Sequence, residues 1–155
     1  MALLHRAYSV LGNMGLNYTA VDQSLATTAK RVSEGQCFIA VGSLGLVGTI
    51  VVTPPQPQSS CEYFRRPDVA GAHQFAVAPD HQSKGIGTSL LERSESWALN
   101  HRYASIAIDT AEPARHLVSF YERRGYRHVG WTHWPGKSYR SVIMSKDLPA
   151  VSPLP

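Results

Sequence analysis

Cysteine is scarce in this sequence: Cys37 and Cys61 are the only two in 155 residues. Two are too few for a disulfide framework, and they lack the spacing of zinc ligands, so no metal is expected. No apolar run approaches the ~18–20 residues that span a bilayer, which speaks against a membrane partner. The opening Met1-Ala2-Leu3-Leu4-His5-Arg6 has no basic stretch followed by a long apolar core. No signal peptide is therefore expected, and the expected compartment is a reducing cytoplasm. Charge is also thin, at 17% against 43% hydrophobic residues, a balance that excludes a disordered chain. The formal net charge is +4, yet the basic residues are scattered, with short pairs only at Arg65-Arg66 and Arg123-Arg124. Without a basic block or a nucleic-acid motif, no nucleic-acid partner is expected. The surplus is either solvated surface or an attraction for a small anion, such as a ligand bearing phosphates.

What is there reads as one domain over residues 1–148, followed by a loose tail at 149–155. Leu3, Leu4, Ala7, Tyr8, Val10, Leu11 and Met14 recur near helical spacing, predicting a helix over 2–16, with a second over 24–33. Residues 37–41 and 44–52 are strand-like runs about a Gly42-Ser43 turn, hence an antiparallel hairpin. The proline-rich stretch 53–60 is a loop, because proline has no ladder donor. A strand over 72–78, a helix over 86–100 and a short buried strand over 105–108 follow. The next helix starts near Pro113 and stops at Gly125, the usual asymmetry of helix ends. Strands over 126–133 and 139–144 flank a Pro135-Gly136-Lys137 turn. This order predicts a mixed α/β sheet, mostly antiparallel and flanked by helices, rather than a regular doubly wound one.

The most informative stretch is Phe75-Ala76-Val77-Ala78-Pro79-Asp80-His81-Gln82-Ser83-Lys84-Gly85-Ile86-Gly87. A strand ends, the chain turns, two glycines follow, and a helix begins. Glycine lets backbone N–H groups approach a ligand closely, and a helix start adds unpaired donors and partial positive charge. Such a turn suits phosphate or pyrophosphate, and Lys84 can add a full charge. Other phosphate motifs fit less well. The dinucleotide fingerprint would need a third glycine where Leu90 stands. Gly136-Lys137-Ser138 lacks the earlier glycine of a P-loop, since Trp131 occupies its place. There is no G-x-S-x-G elbow for a hydrolase nucleophile.

Gln82-Ser83-Lys84-Gly85-Ile86-Gly87, preceded by Phe75-Ala76-Val77-Ala78-Pro79, resembles the acyl-CoA signature Q/R-x-x-G-x-G/A of the GNAT superfamily of N-acetyltransferases. Leu117-Val118-Ser119-Phe120-Tyr121-Glu122-Arg123-Arg124-Gly125-Tyr126 resembles the family's helix that ends in tyrosine, then glycine and an aromatic. Val142 to Leu148 resembles its closing strand. The resemblance covers residues 73–148 and extends plausibly back to Cys37. It implies a GNAT-like fold with acetyl-CoA as co-substrate and a primary amine as acceptor. Phe75, Ala76 and Val77 would pair with the pantetheine arm, and Gln82, Ser83, Lys84, Gly85, Ile86, Gly87 and Thr88 would hold the pyrophosphate. A backbone N–H near Val77 would polarise the thioester carbonyl.

By the same resemblance Tyr121 is the general acid that protonates the leaving thiolate, the alternative being a packing role. His73 resembles a proton-accepting histidine of some members, and strict alternation sets it on the strand face of Phe75 and Val77. It could equally be a strand histidine without a role. Glu62 and Asp109 are further base candidates, Asp109 being alternatively the cap of a turn. Tyr18, Tyr63, Trp131, His133, Trp134 and Tyr139 are candidate walls of the acceptor pocket. Two departures stand out. Ala114 replaces the asparagine that many members carry seven residues before the tyrosine. Only Met1-Ala2-Leu3 precedes the first helix, where members have a strand, so either the start is truncated or that edge position is empty or filled by another chain, as in a homodimer. The expected activity is acetylation of a small-molecule amine. A protein or peptide amine is the catalytic alternative, and a non-catalytic acyl-CoA-binding module is the alternative from another class.

Overall fold

The computed structural model of the protein describes residues 1–150, so most of the expected tail lies outside the described residues. Helix α1 (Ala2–Asn13) buries Leu3, Leu4 and Leu11. That spacing brings them onto one helical face. It ends sooner than its apolar periodicity suggests, and a single turn, α2 (Thr19–Asp22), follows. Helix α3 (Leu25–Ser33) is capped by Ser24, whose Oγ accepts the Thr27 N–H at 3.1 Å. Strands β1 (Gln36–Gly42) and β2 (Gly45–Thr53) form the expected hairpin. Then come α4 (Glu62–Arg65), β3 (Val69–Val77), a 3-10 turn (Pro79–His81), α5 (Ile86–Asn100), β4 (Ser105–Ala111), α6 (Arg115–Glu122), β5 (Arg127–Thr132) and β6 (Ser141–Asp147).

The six strands lie in the order β1-β2-β3-β4-β6-β5, and only β3 and β4 run parallel. The sheet is therefore mixed and mostly antiparallel, with helices on both faces. On one face α5 and α6 pack Leu90, Leu91, Val118 and Tyr121 against Ile50, Ala70, Ile106 and Met144. On the other face α4 packs Phe64 against Val69, Ala107 and Ile143. There too Leu4 of α1 and Ala20 of α2 meet Ala76. Each fully buried Leu, Ile or Phe in these layers contributes roughly 1.5–3 kcal/mol by leaving water.

Two irregularities build the site. The first is a parting of strands. β3 and β4 pair only through Val69–Ser105, Ala70–Ile106 and Gly71–Ala107, and beyond those residues they diverge. The second is a bulge. The β2–β3 register shifts between Thr49 and Val51, and Gln74 takes φ 51°. One extra residue reverses which face each later side chain occupies. Ala70 and Ala72 face the α5/α6 core, and after the bulge so do Phe75 and Val77. His73 faces the other way, its ring 5.6 Å from that of Phe64. Strict alternation had set His73 beside Phe75 and Val77, and the bulge corrects that expectation.

Candidate active site

The parted strands open into a cavity of about 1040 Å³, large enough for an extended ligand and a second small molecule together. Backbone direction alternates along a strand, so one hydrogen bond fixes its neighbours. The Ala78 N–H donates to Val47 of β2, so the Phe75 and Val77 peptide groups point into the gap. Their carbonyls accept from side chains rather than from a strand: Tyr8 Oη donates to Phe75 O at 2.9 Å, and Gln82 Nε2 to Val77 O at 3.1 Å. On the opposite lip the Ala111 N–H donates to Tyr18 Oη at 2.7 Å. The two lips of the gap are thus bound to tyrosines of the N-terminal segment, while the N–H groups of Phe75 and Val77 face the opening.

At the mouth lies the Gly-Ile-Gly turn. Ser83 and Gly85 both have positive φ, at 60° and 84°, with Lys84 between them on the ordinary side. Left-handed residues interspersed in this way turn successive N–H groups inward into a concavity for anions. Gly85 also caps α5, whose first amides have no partner within the helix. A side chain at φ 84° is strained, and only glycine adopts it without cost. Lys84 does not join this surface, because its Nζ donates back to Asp80 O at 2.9 Å. Ile86 is turned into the core. Eight of the ten expected cofactor residues line the cavity: Phe75, Ala76, Val77, Gln82, Ser83, Gly85, Gly87 and Thr88.

A cation that does line the cavity is Arg124. It donates to Thr88 Oγ1 through Nε at 3.0 Å and Nη2 at 2.7 Å, and lies 3.5 Å over the Phe120 ring. It ties the end of α6 to the start of α5 and lines the cavity. The sequence marked it only as half of a basic pair.

Tyr121 is brought in by the end of α6. Gly125 takes φ 85°, and the Tyr126 N–H returns to Tyr121 O at 3.2 Å. That is a Schellman closure, in which the residue after the glycine packs against the one four before that glycine. The two tyrosine rings lie 5.8 Å apart. The tyrosine-glycine-aromatic pattern thus has a mechanical meaning: it fixes where Tyr121 points. Tyr121 is only 4% exposed, and its hydroxyl makes no hydrogen bond among the described residues. Burial, with the nearby Tyr8, Tyr18, Tyr126 and Asp109, pushes its phenol well above the usual value, so it holds its proton at neutral pH.

His73 lines the same cavity from the other sheet face. Burial pushes its imidazole down, and Arg31 adds to the effect against the pull of Asp109 and Glu34. The ring is therefore neutral near pH 7. Asp109 sits within β4, on the floor of the cavity, and accepts the Trp134 indole N–H through Oδ2 at 2.8 Å. It does not cap a turn; pairing with Ile143 carries the strand past it. Glu62 lies on α4, away from the cavity walls. Of the expected aromatic walls, Tyr18, Trp134 and Tyr139 line the cavity. Tyr63 instead donates to Ser145, Trp131 is 52% exposed on β5, and His133 meets the Lys137 carbonyl. Tyr8 is a wall that the sequence reading missed. Ala114 is fully buried against Leu11, Leu16 and Tyr139.

A parted parallel pair, a phosphate-type turn at its mouth and a buried tyrosine beside it are the arrangement expected of an acyltransferase. The family model "Acetyltransferase (GNAT) family" matches residues 6–126, and the chain belongs to that family. A curated relative, S-(2-succino)cysteine N-acetyltransferase of Bacillus subtilis (strain 168), is 29% identical over 150 residues, covering 96% of this chain and 88% of its own. Among solved structures, PH1933 of Pyrococcus horikoshii OT3 superposes with TM-score 0.72 at 21% identity, covering 95% of this chain and 87% of that one. A GNAT family acetyltransferase of Elizabethkingia anophelis with acetyl-CoA bound gives TM-score 0.63 at 18% identity, over 82% and 85%. No helix among the described residues is long and apolar enough to cross a membrane.

Proposed function

We propose that this acetyltransferase moves an acetyl group from acetyl-CoA to the amino group of a small molecule by direct attack. The observation that carries the reading is the gap between β3 and β4 beyond Gly71 and Ala107, with free N–H groups on one lip and Tyr121 beside it. The pantetheine arm pairs with Phe75 and Val77 as an added strand, and the diphosphate rests on the amides from Ser83 to Thr88, with Arg124 alongside. The relative from Bacillus subtilis is named for an amino-acid derivative, and we take the acceptor here to be a small amine of that kind. Residues 1–148 act as one catalytic unit, and the two free thiols, Cys37 and Cys61, suit a reducing cytoplasm.

The bulge at Gln74 divides the labour. Tyr121 faces the gap from the α6 side, and His73 and Asp109 face it from the other. An acceptor ammonium, with pKa about 10, pairs with Asp109 and gives one proton to neutral His73. The freed nitrogen attacks the thioester carbon, and the Val77 N–H holds the oxyanion. The carbon–sulfur bond then breaks, and Tyr121 donates to the departing thiolate. A thiol has pKa about 8.5, below that of this phenol, so full transfer off Tyr121 is uphill unless its proton is replaced. The second proton of the attacking nitrogen replaces it. The products are the N-acetyl compound, CoA thiol and one proton released from His73.

The test is thiol release from acetyl-CoA over a panel of amino acids and amines. Tyr121→Phe should lower kcat about 100-fold while CoA affinity stays within about threefold. Unchanged turnover would remove the acid role, and CoA binding without release on any amine or peptide would make the chain a binding module.

A further inference from the structure

The acceptor end of the cavity has a charge pattern that the chemistry above does not use. Its walls carry Lys30 and Arg31 from α3 and Lys137 from the turn between β5 and β6. Two carboxylates share the lining, Glu34 at the end of α3 and Asp109 on β4, and Asp109 already holds the Trp134 indole. Neither Arg31 nor Lys137 has a carboxylate within salt-bridge distance among the described residues; the five ion pairs found there lie elsewhere. Lys137 Nζ is held by neutral oxygens, donating to Asn17 O at 2.7 Å and Thr19 Oγ1 at 2.9 Å. An ammonium has three protons, so one remains for a guest. Burial and the charge of Arg31 push the Lys137 ammonium down, against the pull of Asp22 and Asp109. The Arg31 charge also acts on Tyr8 and His73, so it is felt at the reacting end.

Arg31 from α3 and Lys137 from the β5–β6 turn are two half-buried cations lining one cavity, and an anionic guest there would offset their repulsion. We propose that Arg31 and Lys137 form a carboxylate clamp, and that the acceptor is an amino-acid derivative carrying carboxylates on its side chain. The proposal rests on the acetylation reading above. The clamp holds the acidic arm while Asp109 and His73 receive the amine, so the two ends of one zwitterionic molecule are read by opposite charges. Guanidinium suits a planar carboxylate bidentately, and Lys137 adds a point charge.

The probe is S-(2-succino)cysteine, which bears three carboxylates and one amine, against S-propylcysteine, which lacks the two side-chain carboxylates. The wild-type protein should favour the former by at least about 100-fold in kcat/KM, mainly through KM. Arg31→Gln and Lys137→Gln should each shrink that ratio at least about tenfold, and Arg31→Lys should fall between. Binding is measured separately by calorimetric titration of each amine into CoA-loaded protein, where the same substitutions should loosen S-(2-succino)cysteine at least about tenfold. Retained CoA affinity verifies that each variant is folded. If one variant fails to fold, the wild-type preference and the other variant decide. Equal use or equal binding of the two compounds overturns the clamp, as do variants that leave the ratio intact. Acetylation of amines without regard to carboxylates leaves the enzymatic reading standing and the clamp refuted. Clamp-dependent binding with no acetyl transfer to any amine upholds the clamp and refutes the enzymatic reading.

Discussion

Burial acts in opposite directions on Tyr121 and His73, and both directions suit the proposed reaction. It holds the phenol protonated, as the proposed acid must be, and the imidazole unprotonated, as the proposed base must be. The His73 shift has a definite sign. Its folded value lies below the ordinary ~6.5, so kcat/KM should hold down to that pH and fall only as pH drops through the folded value. His73→Gln should lower kcat/KM about 100-fold and remove that acid limb. A variant that keeps the limb would shift the base role to another group, with Asp109 next in position. Stability follows the same sign. Stabilisation present above pH ~6.5 is lost as pH falls towards the folded value, because the unfolded chain binds the proton first. The urea midpoint of His73→Gln should lack that slope. Tyr121 was legible because a glycine and an aromatic follow it at fixed spacing. The face of His73 was not, because the bulge turns on Gln74 at φ 51°, and nothing in a glutamine announces a left-handed residue.

At the scale of elements, the helix starts and stops carried the most signal. Gly85 before α5 and Gly125 after α6 sit at termini where only a left-handed residue closes the turn, so the sequence pattern and the geometry coincide. The one-turn helices α2 and α4 left no trace, because four residues are too few for a 3.6-residue period to repeat. β4 runs on to Ala111, past the apolar run that ended at Ile108, because it pairs with β6 as far as Ser141. Such pairing is non-local and invisible in a window. The start of α5 yields a prediction. A Cβ built at Gly85 meets nothing within 4 Å, so a side chain there has room beside the proposed diphosphate site. Gly85→Ala and Gly85→Asp share the backbone strain, about 1–2 kcal/mol, but only Asp adds a negative charge. CoA affinity should fall at least about tenfold further for Asp than for Ala. Equal affinities would remove the phosphate from this turn.

Across the whole molecule, the sheet trades cohesion for a site. Five neighbouring strand pairs hold it together, yet the central parallel pair contributes only three register positions before it parts. The composition and order of elements foretold a mixed sheet. The parting itself is not marked by any residue between Ala72 and Val77, and the family resemblance implied it only indirectly, by giving residues 75–77 a pantetheine arm as partner. The parted strands make a prediction about backbone amides. Alternation directs the Phe75 and Val77 N–H groups into the gap, while Ala76 faces β2 opposite Thr49. In the free protein the first two should exchange with solvent quickly and Ala76 slowly, because only Ala76 is within a ladder. Saturating CoA, by adding an extended strand, should slow exchange at Phe75 and Val77 at least about tenfold and leave Ala76 little changed. At about 100 times its dissociation constant it should also stabilise the fold by about 2.7 kcal/mol. Protection spread evenly over the three amides would mean a general tightening of the sheet. Protection of none would mean that the cofactor does not lie along β3.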